Sequence, residues 1–172
     1  MPNCSEAILD AAERRIRTHG YNGFSFRDVA SDVGIKSASV HYHFATKPAL
    51  AASVARRYRL RFAEAVAAEE LSGADRITAW RRVFRRALEH DGLMCLCGVL
   101  ASGGAALPEA VTRESRQFFE EGAAALASAT GGGPQAAAIM AQLEGAMLVA
   151  QAFGDIAMFD VATATLGQPQ PA

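Results

Sequence analysis

Ser37, Ser39, His41, Tyr42, His43 and Lys47 set hydroxyls, imidazoles, a phenol and an ammonium along one short stretch, with no carboxylate among them. Side chains of these kinds hydrogen-bond to phosphate oxygens and base edges, and the missing acid spares them repulsion from a polyanion. A second group worth weighing is Cys95 and Cys97, separated by Leu96. A thiol reacts as its thiolate, yet the neighbours Leu93, Met94, Leu96, Gly98 and Val99 supply no cation, and an apolar setting raises a thiol pKa. The thiols are either small buried hydrophobes or a sensor of oxidants or electrophiles. Read as part of a helix over Leu93 to Ala101, they diverge at i and i+2 and cannot readily pair or share an ion. No acid–base pair, nucleophile arrangement or glycine-rich phosphate loop stands out, and His41 and His43 alone lack further metal ligands. Neither an enzyme nor a bound metal or cofactor is expected.

The elements around the first group are legible. Ser25 and Asp28 have capping-box spacing, so a helix begins at Phe26, with Val29, Ala30 and Val33 on one face. Gly34 permits a sharp exit and Ile35 plugs the turn. Ser37 is expected to cap a second helix to about Phe44, whose buried side is Val40 and Phe44. Two helices around a short glycine turn make a helix-turn-helix, and the second enters the DNA major groove. Lys47 opens the next helix, where a cation and free N–H groups can share a phosphate.

Gly34-Ile35, Val40-His41-Tyr42-His43-Phe44 and Lys47-x-x-Leu50, with Gly20-Tyr21-x-x-Phe24-Ser25 and Val29-Ala30 upstream, resemble the DNA-binding signature of the tetracycline-repressor (TetR/AcrR) family of bacterial regulators. The resemblance covers roughly residues 5 to 60; His41 stands where many members have tyrosine. It implies that Arg27, Ser37, Ser39 and His41 face bases and that Ser25, Tyr42, His43 and Lys47 contact backbone, with Lys36 also in the DNA-binding set. It further implies a C-terminal domain holding a small effector, and similar C-x-C-G segments occur in some relatives.

At 172 residues the chain can bury a sizeable core, and no uninterrupted apolar run approaches a membrane span. Its N-terminus becomes charged too early for a secretory signal, and three cysteines, an odd number, fit a reducing cytoplasm. Residues 1–62 hold ten Lys/Arg against five Asp/Glu, about +5, and residues 63–172 hold seven against thirteen, about −6. The front therefore carries a basic footprint and the rest is kept off DNA.

The remaining pattern predicts an all-α fold. Ser5 caps a first helix with Ile8, Leu9, Ala12 and Ile16 inward, Gly20 as its stop, and Arg14, Arg15 and Arg17 on other faces. From Lys47 a helix runs to about Glu70 with Leu50, Val54, Tyr58 and Phe62 as a buried stripe and Arg56, Arg57, Arg59 and Arg61 on solvated faces. Helices follow over Asp75–His90, Leu93–Ala101, Pro108 to about Ala129, and Gln135 to about Phe159, with 130–134 as a loop and a frayed GQPQPA tail. Residues 1–47 are assigned to the helix-turn-helix domain, 48–70 to a linking helix and 71–172 to a helical effector-binding and dimerisation domain. Trp80, Phe84, Leu88, Met94, Cys97, Phe118, Phe119, Met140 and Met147 either line a pocket for an apolar or aromatic molecule or fill a core. Phe118, Ile139, Leu143, Ala146, Ala150 and Phe153, with Ala141, Gly145 and Ala152 for close approach, are the candidate face for a homodimer, the alternative being the protomer's own core. The expected function is a ligand-responsive, homodimeric repressor on a palindromic double-stranded DNA operator, with a thiol-based sensor on DNA as the alternative.

Overall fold

A computed structural model describes residues 3–167, in which α-helices and 3-10 turns form without strands. The helices are α1 (Cys4–His19), α2 (Phe26–Val33), α3 (Ser37–His43), α4 (Lys47–Leu71), α5 (Arg76–Asp91), α6 (Leu96–Ser102), α7 (Glu109–Thr130), α8 (Gly133–Phe153) and α9 (Ala157–Ala162). Beyond Gly167 the expected frayed tail lies outside the described residues.

Two compact units form, and they do not follow the chain-order division at 47/48 and 70/71. One holds the chain up to Arg59 together with Leu96–Gln117, and the other holds Leu60–Cys95 with the chain from Phe118 onward. The reason in the first unit is that α6 returns to pack on α1.

In the first unit Ile8, Ala12, Ile16, Val29, Val40, Leu50 and Val54 are fully buried. Several local expectations change. Asn3, not Ser5, caps α1, its side chain accepting from the Ser5 N–H at 3.3 Å. Ser37 is the first residue of α3 rather than its cap, because Lys36 holds the extended cap position without a side-chain bond. Three arginines expected on solvated faces are drawn inward by groups on other helices. Arg57 bonds Glu6 at 2.8 Å, Asp10 at 2.7 Å and Glu13 at 3.2 Å, Arg59 meets Glu114 at 3.5 Å, and the buried Arg17 stands 6.0 Å from the Tyr58 ring.

In the second unit the rings of Phe62, Trp80, Phe84 and Phe118 pack with centroids 5.0–6.5 Å apart, a close edge-and-tilt cluster. Arg85 binds Asp160 at 2.8 and 3.0 Å, and Gln142 donates to the Ala162 carbonyl at 2.7 Å, so α9 is held by both α5 and α8. The helix expected to continue to Phe159 stops at Phe153, where Gly154 takes a left-handed φ of 63° and α9 starts afresh. The loop at 130–134 shrinks, because Pro134 sits in the first turn of α8, where a missing N–H costs nothing. Likewise α6 begins only at Leu96, leaving Leu93, Met94 and Cys95 outside any helix.

Among the described residues α8 alone is long and apolar enough to cross a bilayer by length and composition. Here one side of it is a core stripe: Ala136, Ile139, Met140, Leu143, Ala146, Met147 and Ala150 are buried. Two glycines report on packing around α8. A Cβ on Gly122 would come within 2.3 Å of Met140 Cε and 2.7 Å of the Trp80 ring, whereas one on Gly145 would meet nothing within 4 Å. Gly122→Ala is therefore expected to cost about 1–3 kcal/mol by overpacking, and Gly145→Ala to be neutral or to gain up to about 1 kcal/mol. Urea denaturation of the two variants checks the contrast.

Candidate functional site

The candidate interface stands on α2, the turn after it, α3 and the start of α4. The Ser25 hydroxyl accepts from the Asp28 N–H at 3.3 Å while the Asp28 carboxylate accepts from the Ser25 N–H at 2.9 Å, completing the capping box. Its hydroxyl also donates to that carboxylate at 2.7 Å, which holds Asp28 below its ordinary pKa. Gly34 supplies φ 74° and donates to Ala30 and Ser31, and Ile35, half-buried, donates to Ala30 at 3.0 Å. The chain thereby reverses within three residues and lays α3 against α2.

All nine side chains expected at the interface reach the surface. Ser25, Arg27, Lys36, His41, Tyr42 and His43 are exposed, Tyr42 to 87%, and Ser37, Ser39 and Lys47 are half-buried. Rings that sequence spacing did not connect arrange two of them. His41 lies edge-on to Phe26 at 4.5 Å, and the Lys47 ammonium stands 4.6 Å from the Tyr21 ring and 4.7 Å from Phe24. Burial lowers the Lys47 pKa, and the Asp28 carboxylate opposes that shift. Nothing in a one-dimensional pattern links Tyr21 to Lys47, because packing of the head brings them together. Thr46 Oγ1 accepts from the Ala49 N–H at 3.2 Å, so one of the N–H groups expected to be available at the start of α4 is already used.

The acids of this region are engaged internally. Glu6, Asp10 and Glu13 meet Arg57, Asp32 meets Arg15 at 2.5 Å, and Asp28 closes the capping box. Arg14, Arg27, Lys36 and Arg56 remain exposed. A basic surface with a polar, acid-free helix at its front is the electrostatic footprint of a phosphate-binding face.

Comparison with known proteins agrees. Residues 8–54 match the model of the bacterial regulatory proteins of the tetR family. A TetR-family transcriptional regulator from Agrobacterium tumefaciens is 32% identical over 94% of both chains with a TM-score of 0.85. The chain belongs to the TetR family of transcriptional regulators. A TetR regulator from Legionella pneumophila is similar at 29% identity over 95% of both chains, TM-score 0.86. The multidrug binding protein EbrR complexed with imidazole is similar at 29% identity over 100% of this chain and 98% of that one, TM-score 0.64. No curated protein sequence matches.

For this TetR-family regulator the residues expected at a pocket are taken unit by unit. Cys97 belongs to the first unit, where it is buried and its carbonyl accepts from the Ser115 hydroxyl at 3.0 Å. The other eight belong to the second. Trp80, Phe84, Leu88, Phe118, Met140 and Met147 are buried and Met94 and Phe119 half-buried. Trp80, Phe84 and Phe118 interlock as core, and Leu88 joins Glu89, Gly92, Ala150, Gln151, Gly154, Asp155 and Ile156 around an open cleft of about 400 Å³. The pocket expectation named none of the last seven, since alanine, glycine and charged helix ends carry no pocket signal in sequence.

The dimer stripe needs correction. Phe118, Ile139, Leu143, Ala146 and Ala150 are buried within the protomer, and of the six only Phe153, at 71%, is open. Between them lies the outward face of α8: Ala137, Ala138, Ala141, Gly145, Leu148, Val149 and Ala152. An alanine-rich helix that is apolar on both faces gives periodicity no contrast with which to tell inside from outside. The thiols of Cys95 and Cys97 are both fully buried, neither in a disulfide; Cys95 precedes α6, so the divergence argued from one helix does not apply.

Sequence reading passed over Glu144. Both carboxyl oxygens are buried, and burial first, then the Cys95 thiol against it, push its pKa up to about 10. A carboxyl whose folded pKa lies above its unfolded value binds more protons in the native state. Its contribution is fully present below the unfolded value near 4.5 and is lost as pH rises toward 10. Glu144→Gln should therefore stabilise the protein at pH 8–9 and flatten the fall of thermal midpoint across pH 5–9. Melting curves over that range check it; an unchanged slope would contradict the burial of this acid.

Proposed function

We propose that this regulator represses transcription as a homodimer on a palindromic DNA operator and lets go when a small apolar or aromatic effector binds its second unit. The observation that carries the reading is the α3 surface: hydroxyls, two imidazoles and a phenol exposed on a closed three-helix core, with exposed Arg27 and a ring-held Lys47 beside it. Arg27, Ser37, Ser39 and His41 read bases, whereas Ser25, Lys36, Tyr42, His43 and Lys47 grip the backbone.

The outward face of α8 supports the homodimer. Leu148 and Phe153 are exposed at 59% and 71% beside alanines and Gly145, an apolar strip that water would otherwise wet. Two such strips meeting about a two-fold axis place two heads on half-sites one DNA turn, or a multiple, apart. An effector acts only through unequal affinity for two arrangements of the dimer, and α4, which runs from the head into the second unit, is the continuous element able to report it. EbrR, similar to this chain over its length, is described as a multidrug binding protein, which favours a small molecule as the effector. Sensing by Cys95 or Cys97 has less support, since a sensing thiol must be reachable and both are buried.

Gel shifts on DNA upstream of the chain's own gene test the interface. Lys47→Ala should weaken cognate and random DNA about equally and flatten the salt dependence by roughly one unit. Arg27→Ala should lose about 1–3 kcal/mol on the cognate site and little on random DNA. Identical losses in both variants would overturn the division of roles. Gly145→Glu, which meets nothing inside the protomer, should sediment as a folded monomer and bind the palindrome poorly; an intact dimer would exclude this face.

A further inference from the structure

Lys47 is held in a way that helix formation does not require. It is the first residue of α4, where the positive end of the helix dipole opposes a cation, and no acid stands in the first turn. Its side chain does not run out into water. The ammonium lies 4.6 Å from the centre of the Tyr21 ring and 4.7 Å from that of Phe24, and the two rings stand edge to face at 86°. The residue is half-buried, and that burial lowers its pKa. Asp28, the carboxylate that acts on it, already accepts from the Ser25 N–H and hydroxyl. The backbone beside it has little to offer an anion. Pro48 has no N–H, that of Ala49 goes to Thr46 Oγ1 at 3.2 Å, and that of Leu50 goes to the Thr46 carbonyl at 3.0 Å. A cation is thus kept among rings, with only Phe44, Ala45 and Thr46 between it and the exposed α3.

We propose that Tyr21 is a positioning residue for DNA binding: with Phe24 it holds the Lys47 ammonium at the place where a backbone phosphate docks. This rests on the phosphate contact assigned to Lys47 above. A lysine has a long flexible stem, and fixing it on a phosphate costs rotamer entropy. Here the rings restrict the stem as the head folds, before DNA arrives. Their faces attract the cation and exclude part of its water, so less hydration is lost when a phosphate oxygen meets it. Rings also hold an ammonium without neutralising it, whereas a carboxylate in their place would cancel the charge that the phosphate needs. Burial raises the Tyr21 phenol pKa, so Lys47 meets a neutral ring and not a phenolate. Phe24 is buried to 3% exposure and its ring serves the core of the head as well. Tyr21 is half-buried in the turn Tyr21–Gly23, so core packing accounts for less of it.

Gel shifts of the full chain over a salt series, on DNA upstream of its own gene and on random DNA, test this with Tyr21→Leu, Tyr21→Phe and Lys47→Ala. Tyr21→Leu should lose roughly three- to tenfold on both DNAs, and its salt dependence should flatten toward that of Lys47→Ala. Tyr21→Phe keeps the ring and should restore wild-type binding. In the Lys47→Ala background, Tyr21→Leu should cost nothing further, because no ammonium is left to position. A merely structural role would lower head stability, so its loss would persist in that background and leave the salt slope unchanged; this result overturns the proposal. A loss by Tyr21→Phe as large as that by Tyr21→Leu would assign the effect to the hydroxyl and overturn it too. Wild-type protein that binds its upstream DNA while Tyr21→Leu binds equally well removes this proposal alone. Wild-type protein that binds no DNA removes the regulator reading and this proposal with it.

Discussion

The exposed surface of α3 hangs on the burial of one side chain. α3 has seven residues, about 10 Å, far too short to persist alone, and Val40 is its only fully buried member. Val40 joins the core of Ile8, Ile16, Val29 and Leu50, and the left-handed Gly34 delivers the chain to it at the required angle. Every other side chain of α3 is thereby left to solvent wholly or in part. A helix with so small a share in the core can spend nearly its whole surface on a ligand, while its position is set by α1, α2 and the start of α4.

Charge is arranged on the same plan. The five acids of residues 1–62 each have an internal partner, and three of them converge on the single guanidinium of Arg57. That clamp fixes α1 to α4 within the head and takes negative charge out of play, so the excess of cations is expressed at the surface. The second unit orders its own arginines differently: Arg82 and Arg86 both hold Glu69, and Arg81 and Arg85 hold α9 through Thr163 and Asp160.

How much of this the sequence disclosed depended on whether a signal was local. The capping box at Ser25, the stop at Gly20, the turn at Gly34 and the stripe from Leu50 to Phe62 follow from neighbouring residues, and all stand in the structure. The partners of Lys47, Arg57 and Glu144 are set by tertiary packing and left no periodic trace. α8 was legible as a helix but not as an oriented one, because Leu143 inside and Leu148 outside look alike in a run of alanines. The same lack of contrast extended the helix through Gly154 and started α6 three residues early, where apolar content over Leu93–Cys95 outweighed any boundary residue.

Hydroxyl-radical footprinting of the full chain on DNA upstream of its own gene tests most directly whether α3 and its supports read DNA as a two-fold pair. Two protected patches related by a dyad are expected, centred one helical turn or a multiple apart, and both should vanish together as protein is diluted. Uniform, sequence-independent protection, or a single isolated patch, would contradict a dimeric reader of a palindromic site.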